Sequence, residues 1–280
     1  MKMVENRTFD EERALYGSDD IVVRKCRFDG PADGESALKE SKNIKVEDCY
    51  WNLRYPFWHD SNLIVEDTEL SELCRAPFWY SNHVIINSSQ LNGTKALREC
   101  SEVKIKDCDI ISDEFGWSVH DCIIEDTNIQ SEYFMMRSTN LKFSNIHLKG
   151  KYSFQYIENA LFENCIFDTK DAFWHAKNVT VRNCEVNGEY LGWYSENVIF
   201  DHCTIKGTQP LCYCKGLKLI DCVMEDADLS FEKSEVEATV ISPVISIKNP
   251  SAGTIRVPMY GELIMDDPDA KCNIVTRKGN

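Results

Sequence analysis

Four side chains in this sequence have the types that acid–base chemistry on a polymer needs: Asp171, Glu189, Arg137 and His175. Two carboxyl groups held roughly 5 to 9.5 Å apart can hydrolyse a glycosidic bond, one as acid, the other as base or nucleophile. A histidine beside an arginine suits proton abstraction next to a carboxylate, the first step of a β-elimination. Around them lies a set of aromatic and polar residues suited to a sugar chain: Phe57, His59, Phe78, Tyr80, Glu99, Glu114, Tyr133, Tyr152, Tyr156, Phe173, Tyr190, Tyr194 and Tyr213. Rings can stack on pyranose faces while Tyr, His and the acids bond hydroxyls. Metal chemistry has weaker signals. Cys212 and Cys214 form a C-x-C pair that reads as buried thiols, and the run Asp266-Asp267-Pro268-Asp269 reads as a solvated turn. Nothing has zinc spacing, and no phosphate loop or nucleophile elbow is present, so no cofactor or metal is expected.

Which of these residues meet is decided by one spacing. Cys165, Cys184, Cys203 and Cys222 follow one another at 19 residues, and six residues before each stands Asn159, Asn178, Asn197 or Gly216. The frame runs back through Asn140, Asp121, Glu102, His83, Asn62, Asn43 and Asp20, and forward through Glu235, Thr254 and Asn273. Only two steps depart from 19: Asp20 to Asn43 takes 23 residues and Asn62 to His83 takes 21. The whole chain is a repeat array.

With the asparagine as position 0, positions 1 and 3 are apolar (Ile44 and Val46, Leu63 and Val65, Val179 and Val181). That alternation is a half-buried strand. Position 5 is a bend residue such as Asp48 or Asn183, position 6 the cysteine column, and position 8 an apolar residue such as Trp51 or Leu70, which begins a second short strand. A third strand is expected over positions 12 to 17. Three strands in 19 residues leave no room for a helix, and no L-x-x-L-x-L framework is present, so a leucine-rich repeat is set aside. The expected fold is all-β: a single-stranded right-handed parallel β-helix, three-sided, with about 14 coils. It is read as one domain over 1–280, with 1–19 an N-terminal cap and partial coil, 20–253 regular coils, and 254–280 the last coils and C-terminal cap.

Composition sets the partners. The net charge is −15, which disfavours nucleic acid and polyanionic substrates, since both need a basic face. No stretch is apolar enough to span a membrane, and Met1 to Asp20 lacks the apolar run of a signal peptide. Cytoplasmic residence is the default expectation, and seven of the 13 cysteines, Cys26, Cys49, Cys108, Cys165, Cys184, Cys203 and Cys222, fall in the inward column and read as reduced, buried thiols.

The third strand carries most of the candidate site. Counting alternation back from a polar position 18 turns positions 13, 15 and 17 inward and 12, 14 and 16 outward. The tryptophans Trp58, Trp79, Trp117, Trp174 and Trp193 at position 15 then face the core, with Met136, Cys212 and Phe231, and with Lys39, Arg98 and Gln155 as misfits. The opposite phase puts the tryptophans and those three polar residues outside; it is disfavoured because His, Tyr, Glu and Arg of position 16 would then be inside. On coil spacing, Glu114 and Asp171 are ~14 Å apart, too far to cooperate, whereas Asp171 and Glu189 can approach to ~6 Å. Arg137 and His175 share a column at ~10 Å with Tyr156 between them.

Several segments of this frame resemble a known family: ERALYG (12–17), DGESALKE (33–40), YPFWH (55–59), DAFWH (171–175), GEYLGWYS (188–195), GTQPLCYC (207–214) and SIKNPSAG (246–253). They are similar to a group of uncharacterised bacterial proteins carried as a domain of unknown function with a pectate-lyase-like right-handed β-helix. The resemblance spans nearly the whole chain. It implies that fold and a bacterial, cytosolic setting, and it implies no catalytic residues. The leading expectation is a carbohydrate-recognising protein that binds a neutral oligosaccharide on the third-strand face. The alternatives are a structural protein whose aromatic face is a homo-oligomer interface, and a carbohydrate-active lyase or hydrolase.

Overall fold

The computed structural model describes residues 1–30 and 34–276. Asp33, the first residue of the DGESALKE segment, and the last four residues of the expected C-terminal cap lie outside the described residues. The chain is an all-β, single-stranded right-handed parallel β-helix of about 14 turns. It divides into two compact units, Met1–Leu141 and Lys142–Asn280.

In the first unit the strands Ser61–Glu66, Asn82–Asn87, Ser101–Lys106 and His120–Glu125 pair in parallel and in register, so that Leu63, Val84, Val103 and Cys122 form one column. In the second unit Glu158–Glu163, Lys177–Arg182 and Glu196–Asp201 do the same through Ala160, Val179 and Val198. These columns and their position-3 neighbours are buried, as period-two alternation requires. The second side is a shorter parallel stack that buries Leu70, Leu91 and Ile110 in one unit and Phe167, Val186 and Ile205 in the other.

Two corners explain the asparagine and aspartate columns. Position 0 takes a positive φ in every coil from Asp20 (58°) to Asn197 (53°), and position 5 does likewise from Asp48 (52°) to His202 (52°). Asn and Asp tolerate this left-handed backbone better than other side-chain-bearing residues. Their amides also form exposed ladders, with Asn197 donating to Asn178 at 3.2 Å and Asn178 to Asn159 at 3.3 Å.

The third side departs from expectation. It is a stack of turns that holds a short strand pair at Phe78–Trp79 and Leu97–Arg98 and, in the last coils, the pair Val244–Lys248 and Tyr260–Ile264, joined to the stack by a bridge between Ser230 and Ile247. Positions 12 and 16 have positive φ throughout the stack, as at Tyr55 and His59 or Asp171 and His175. From Gly116 onward position 14 joins them, with Met135 at 57° and Phe173 at 60°. Strict alternation fails on such a backbone. Positions 13, 14 and 17 face inward, and positions 15 and 16 both face outward, except that Cys212 at position 15 is buried as expected. The phase rejected on sequence grounds is therefore the correct one for the tryptophans, while position 16 stays outside as well. One further shift occurs near the end. The positive-φ residues there are Leu229, Phe231 and Lys233, one position later than in earlier coils, and this places Phe231 in the core.

Candidate functional site

The correction of phase rebuilds the candidate face. Phe57, Phe78 and Phe173, read as ligand contacts, are fully buried and belong to the core. Phe57 and Phe78 stack on each other with ring centroids at 5.1 Å. Phe173 packs against Phe154 at 4.9 Å. No ligand reaches these rings from outside.

In their place stands a column that the sequence reading had put inside. In the first unit Trp58 and Trp79 are stacked, with centroids at 5.1 Å and planes 5° apart. The Arg98 guanidinium lies 4.5 Å from the Trp79 ring and 4.7 Å from the Trp117 ring, filling a gap in the stack. The Lys39 ammonium stands 5.7 Å from Trp58. In the second unit Trp174 and Trp193 stack at 5.3 Å and 3°. Each indole N–H donates to a backbone carbonyl at position 12 of the following coil: Trp58 to Ala76, Trp79 to Lys95, Trp117 to Tyr133, Trp174 to Tyr190 and Trp193 to Gln209, at 2.6 to 2.8 Å. Gln155 makes the equivalent bond to Asp171 at 3.1 Å. Lys39, Arg98 and Gln155 are thus ordinary members of an outward column: two are cations placed against rings and one is an amide that replaces an indole N–H. Their polarity was the sequence signal for the correct phase.

Beside it runs the position-16 column. His59 and Tyr80 stack at 4.9 Å in the first unit. In the second, Tyr156, His175, Tyr194 and Tyr213 form a continuous stack of four rings at 4.8, 5.2 and 4.8 Å, with planes within 12°. Tyr80, Tyr156 and Tyr194 are 37%, 48% and 44% exposed. Inside the stack each ring face is covered by the next ring, so edges, phenol hydroxyls and imidazole nitrogens are what reach solvent. Position 12 borders the two columns. Tyr133 is exposed, Tyr152 and Tyr190 are half-buried, and Tyr190 meets Trp193 edge-on at 5.4 Å.

The charged candidates separate. Glu114 is held by Lys95 at 3.3 Å and by Arg98 at 3.1 Å, so it is an ion-pair partner of the arginine in the ring gap. Glu99 is exposed in the position-16 column of the first unit, as is Arg137. His175 is sandwiched between Tyr156 and Tyr194 in the second unit. Asp171 and Glu189 are neighbours, the Asp171 N–H donating to the Glu189 carbonyl at 2.9 Å. Asp171 is 8% exposed, and its pKa is raised, first by burial and then by the Glu189 charge, with Lys170 opposing. Glu189 is exposed. Among the described residues no group of three or more His, Cys, Asp or Glu side chains is placed to hold a metal ion, and no helix is long and apolar enough to cross a membrane.

The fold and its external ring columns define a β-solenoid with a polar aromatic face. Residues 2–276 match the family described as protein of unknown function, DUF3737, and the chain belongs to it. No curated protein matches the sequence. Among solved structures the chain is similar to the A-module of mannuronan C-5 epimerase AlgE6 from Azotobacter vinelandii, at 12% identity, covering 99% of this chain and 89% of that one with a TM-score of 0.49. It is also similar to a mutant tailspike protein of E. coli bacteriophage HK620 in complex with pentasaccharide, at 11% identity, 91% and 61% coverage and a TM-score of 0.45. The pentapeptide repeat protein HetL from Nostoc sp. strain PCC 7120 follows at 11% identity, 80% and 92% coverage and a TM-score of 0.25. None of these likenesses assigns a role to a residue of this chain.

Proposed function

We propose that this protein recognises an extended, uncharged carbohydrate along the ring columns of the third side. The observation that carries the reading is the exposed stack Tyr156–His175–Tyr194–Tyr213 beside Trp174 and Trp193. It repeats one hydrogen-bonding ring edge per coil. An extended glycan advances by a comparable length per pyranose unit, so successive sugars would meet equivalent groups. Because the ring faces are already taken, recognition works through hydroxyls and ring edges, with face stacking confined to the ends of a column. Asp171 and Glu189 add acceptors, and their pairing keeps hydrolysis as a subsidiary reading to be assayed on any sugar that binds. The acidic surface, net −15, favours a neutral chain over a uronate. Cytoplasmic residence remains part of this proposal.

The test is mass by light scattering together with thermal unfolding, with and without a panel of neutral oligosaccharides. A species of unchanged mass that gains thermal stability with one sugar, and loses the gain in Tyr156→Ala and His175→Ala, supports the reading. A dimer or larger species that ignores every sugar instead supports self-association through the same aromatic face.

A further inference from the structure

The position-15 column carries the same arrangement of four places in both units, and only in the first unit does the protein fill all four. There the places run Trp58, Trp79, Arg98 and Trp117: two stacked indoles, a guanidinium 4.5 Å from the second ring, and a third indole 4.7 Å from that guanidinium. In the second unit the stacked pair recurs as Trp174 and Trp193. Backbone hydrogen bonds identify the two places that follow. The Tyr80 N–H donates to the Arg98 carbonyl at 3.0 Å, and the equivalent Tyr194 N–H donates to the Cys212 carbonyl at 3.2 Å. The Glu99 N–H donates to the Trp117 carbonyl at 2.9 Å, and the Tyr213 N–H donates to the Glu232 carbonyl at 2.7 Å. Cys212 thus holds the place of Arg98, and Glu232 holds that of Trp117.

Cys212 does not reach out as Arg98 does. It is fully buried, with its thiol directed at the carbonyls of Gln209 and Leu229 at 3.5 and 3.7 Å. Among the described residues no cation lies over the half-exposed Trp193 ring, and Trp174 is the one ring stacked on it; Tyr190, Tyr194 and Tyr213 meet it edge-on. Leu229 has the positive φ of the position-12 residues whose carbonyls accept the indole N–H groups elsewhere in the column. Among the described residues its own carbonyl receives only the long thiol contact. Glu232 is paired with Lys248 at 3.1 Å. Glu114 is likewise paired with Lys95 at 3.3 Å while it binds Arg98 at 3.1 Å, so one such partner leaves a carboxylate able to take a guanidinium. Two coil steps, ~10 Å along the column, separate the places of Trp193 and Glu232.

We propose that the place outside Cys212 binds a small organic cation of the alkylguanidinium class. The planar ion lies on the Trp193 ring face and donates N–H groups to the Leu229 carbonyl and the Glu232 carboxylate, as Arg98 uses Trp79 and Glu114 in the first unit. Attraction to the ring quadrupole and to an acidic protein, net −15, supplies the selectivity for a cation. The site goes beyond the glycan reading: it uses a ring face of position 15 rather than the ring edges of position 16, and its ligand needs no sugar.

The experiment titrates the full chain with methylguanidinium chloride, against sodium chloride at matched ionic strength, and follows tryptophan fluorescence and thermal unfolding. The wild type should show a saturable fluorescence change and a rise in melting temperature that the salt control lacks. Trp193→Leu should abolish both, and Glu232→Gln should weaken binding several-fold. Arg98→Ala opens the matching place in the first unit, and the ion should return part of the stability that this variant loses. A response in Arg98→Ala but none in the wild type overturns the proposal, as does a wild-type response that persists in Trp193→Leu. If Trp193→Leu does not fold, Glu232→Gln decides, and binding unchanged in that variant overturns the site. No response in any of these proteins overturns it as well.

Discussion

A single carboxyl group shows how strongly a column constrains its members. Asp60 sits at position 17, where Ser41 and Ser81 occupy the neighbouring coils, and it is fully buried. One oxygen accepts the Ser41 N–H at 2.8 Å, and the other has no partner. Burial pushes its pKa up to about 8, so the group is neutral in the folded protein near pH 7 and ionised once unfolded. Its folded pKa lies above the unfolded value of about 3.9. The wild type therefore keeps its full stability only below about pH 4. It loses stability progressively as pH rises through about 8, where the loss levels off. Asp60→Asn keeps the acceptor for Ser41 and removes the titration. Urea unfolding at stepped pH should show the variant gaining on the wild type by a few kcal/mol between pH 4 and 8, with no further gain above. A constant difference across that range would mean that Asp60 is ionised in the folded state. Phe57 and Phe173 make a related point. As core residues, neither is a fit probe of an interface, because an aspartate there would bury an unpaired charge.

At the scale of one side of a coil, the ring column behaves as a single object with interchangeable parts. Arg98 bridges the Trp79 and Trp117 rings and also holds Glu114. Arg98→Ala should lower unfolding free energy by about 1–2 kcal/mol through the lost cation–π contacts, and Arg98→Lys should restore only part of it because an ammonium does not lie flat between rings. Gln155→Leu should lose about 1 kcal/mol with its bond to the Asp171 carbonyl, whereas Gln155→Trp should match or exceed the wild type by replacing that donor. Denaturant titration of the four variants decides it; equal losses in the Leu and Trp variants would remove the idea of a shared donor role. The first two sides were legible in the sequence because strands keep a strict period of two and the 19-residue frame marks where each begins. The third was not, because left-handed residues at positions 12 and 16, joined by position 14 from Gly116 onward, break that period, and apart from Gly116 and Gly192 they carry side chains instead of being the glycines that would have announced the conformation. The polar residues at 39, 98 and 155 were the visible warning. The neighbouring-ring geometry that covers the tyrosine faces was beyond any reading of spacing.

For the whole molecule, a solenoid distributes its core as a set of parallel columns, and each coil contacts only its neighbours. All 13 cysteines are buried in such columns, and burial pushes the thiols of Cys49, Cys100 and Cys212 up to about 12. A thiol reagent at neutral pH should therefore count 13 groups only in denaturant. In native protein, labelling should be slow and should begin at Cys272, the most exposed of the thiols at 7%; rapid early labelling of Cys100 or Cys212 would contradict the described packing. The charge of −15 also predicts no retention on immobilised nucleic acid at low salt, where a basic face would be most evident.

The near-parallel indoles have a consequence for spectroscopy. Trp58 with Trp79 and Trp174 with Trp193 are stacked about 5 Å apart with planes within 5° of parallel, close enough for their strong ultraviolet transitions to couple. Stacked chromophores of this kind exchange excitation and add their own signed bands to a circular dichroism spectrum, overlapping the weak strand signal. The far-ultraviolet spectrum of this protein will then misstate its strand content when fitted with reference spectra. The same bands offer an optical marker for each unit, since Trp79→Phe should remove the contribution of one and Trp193→Phe that of the other.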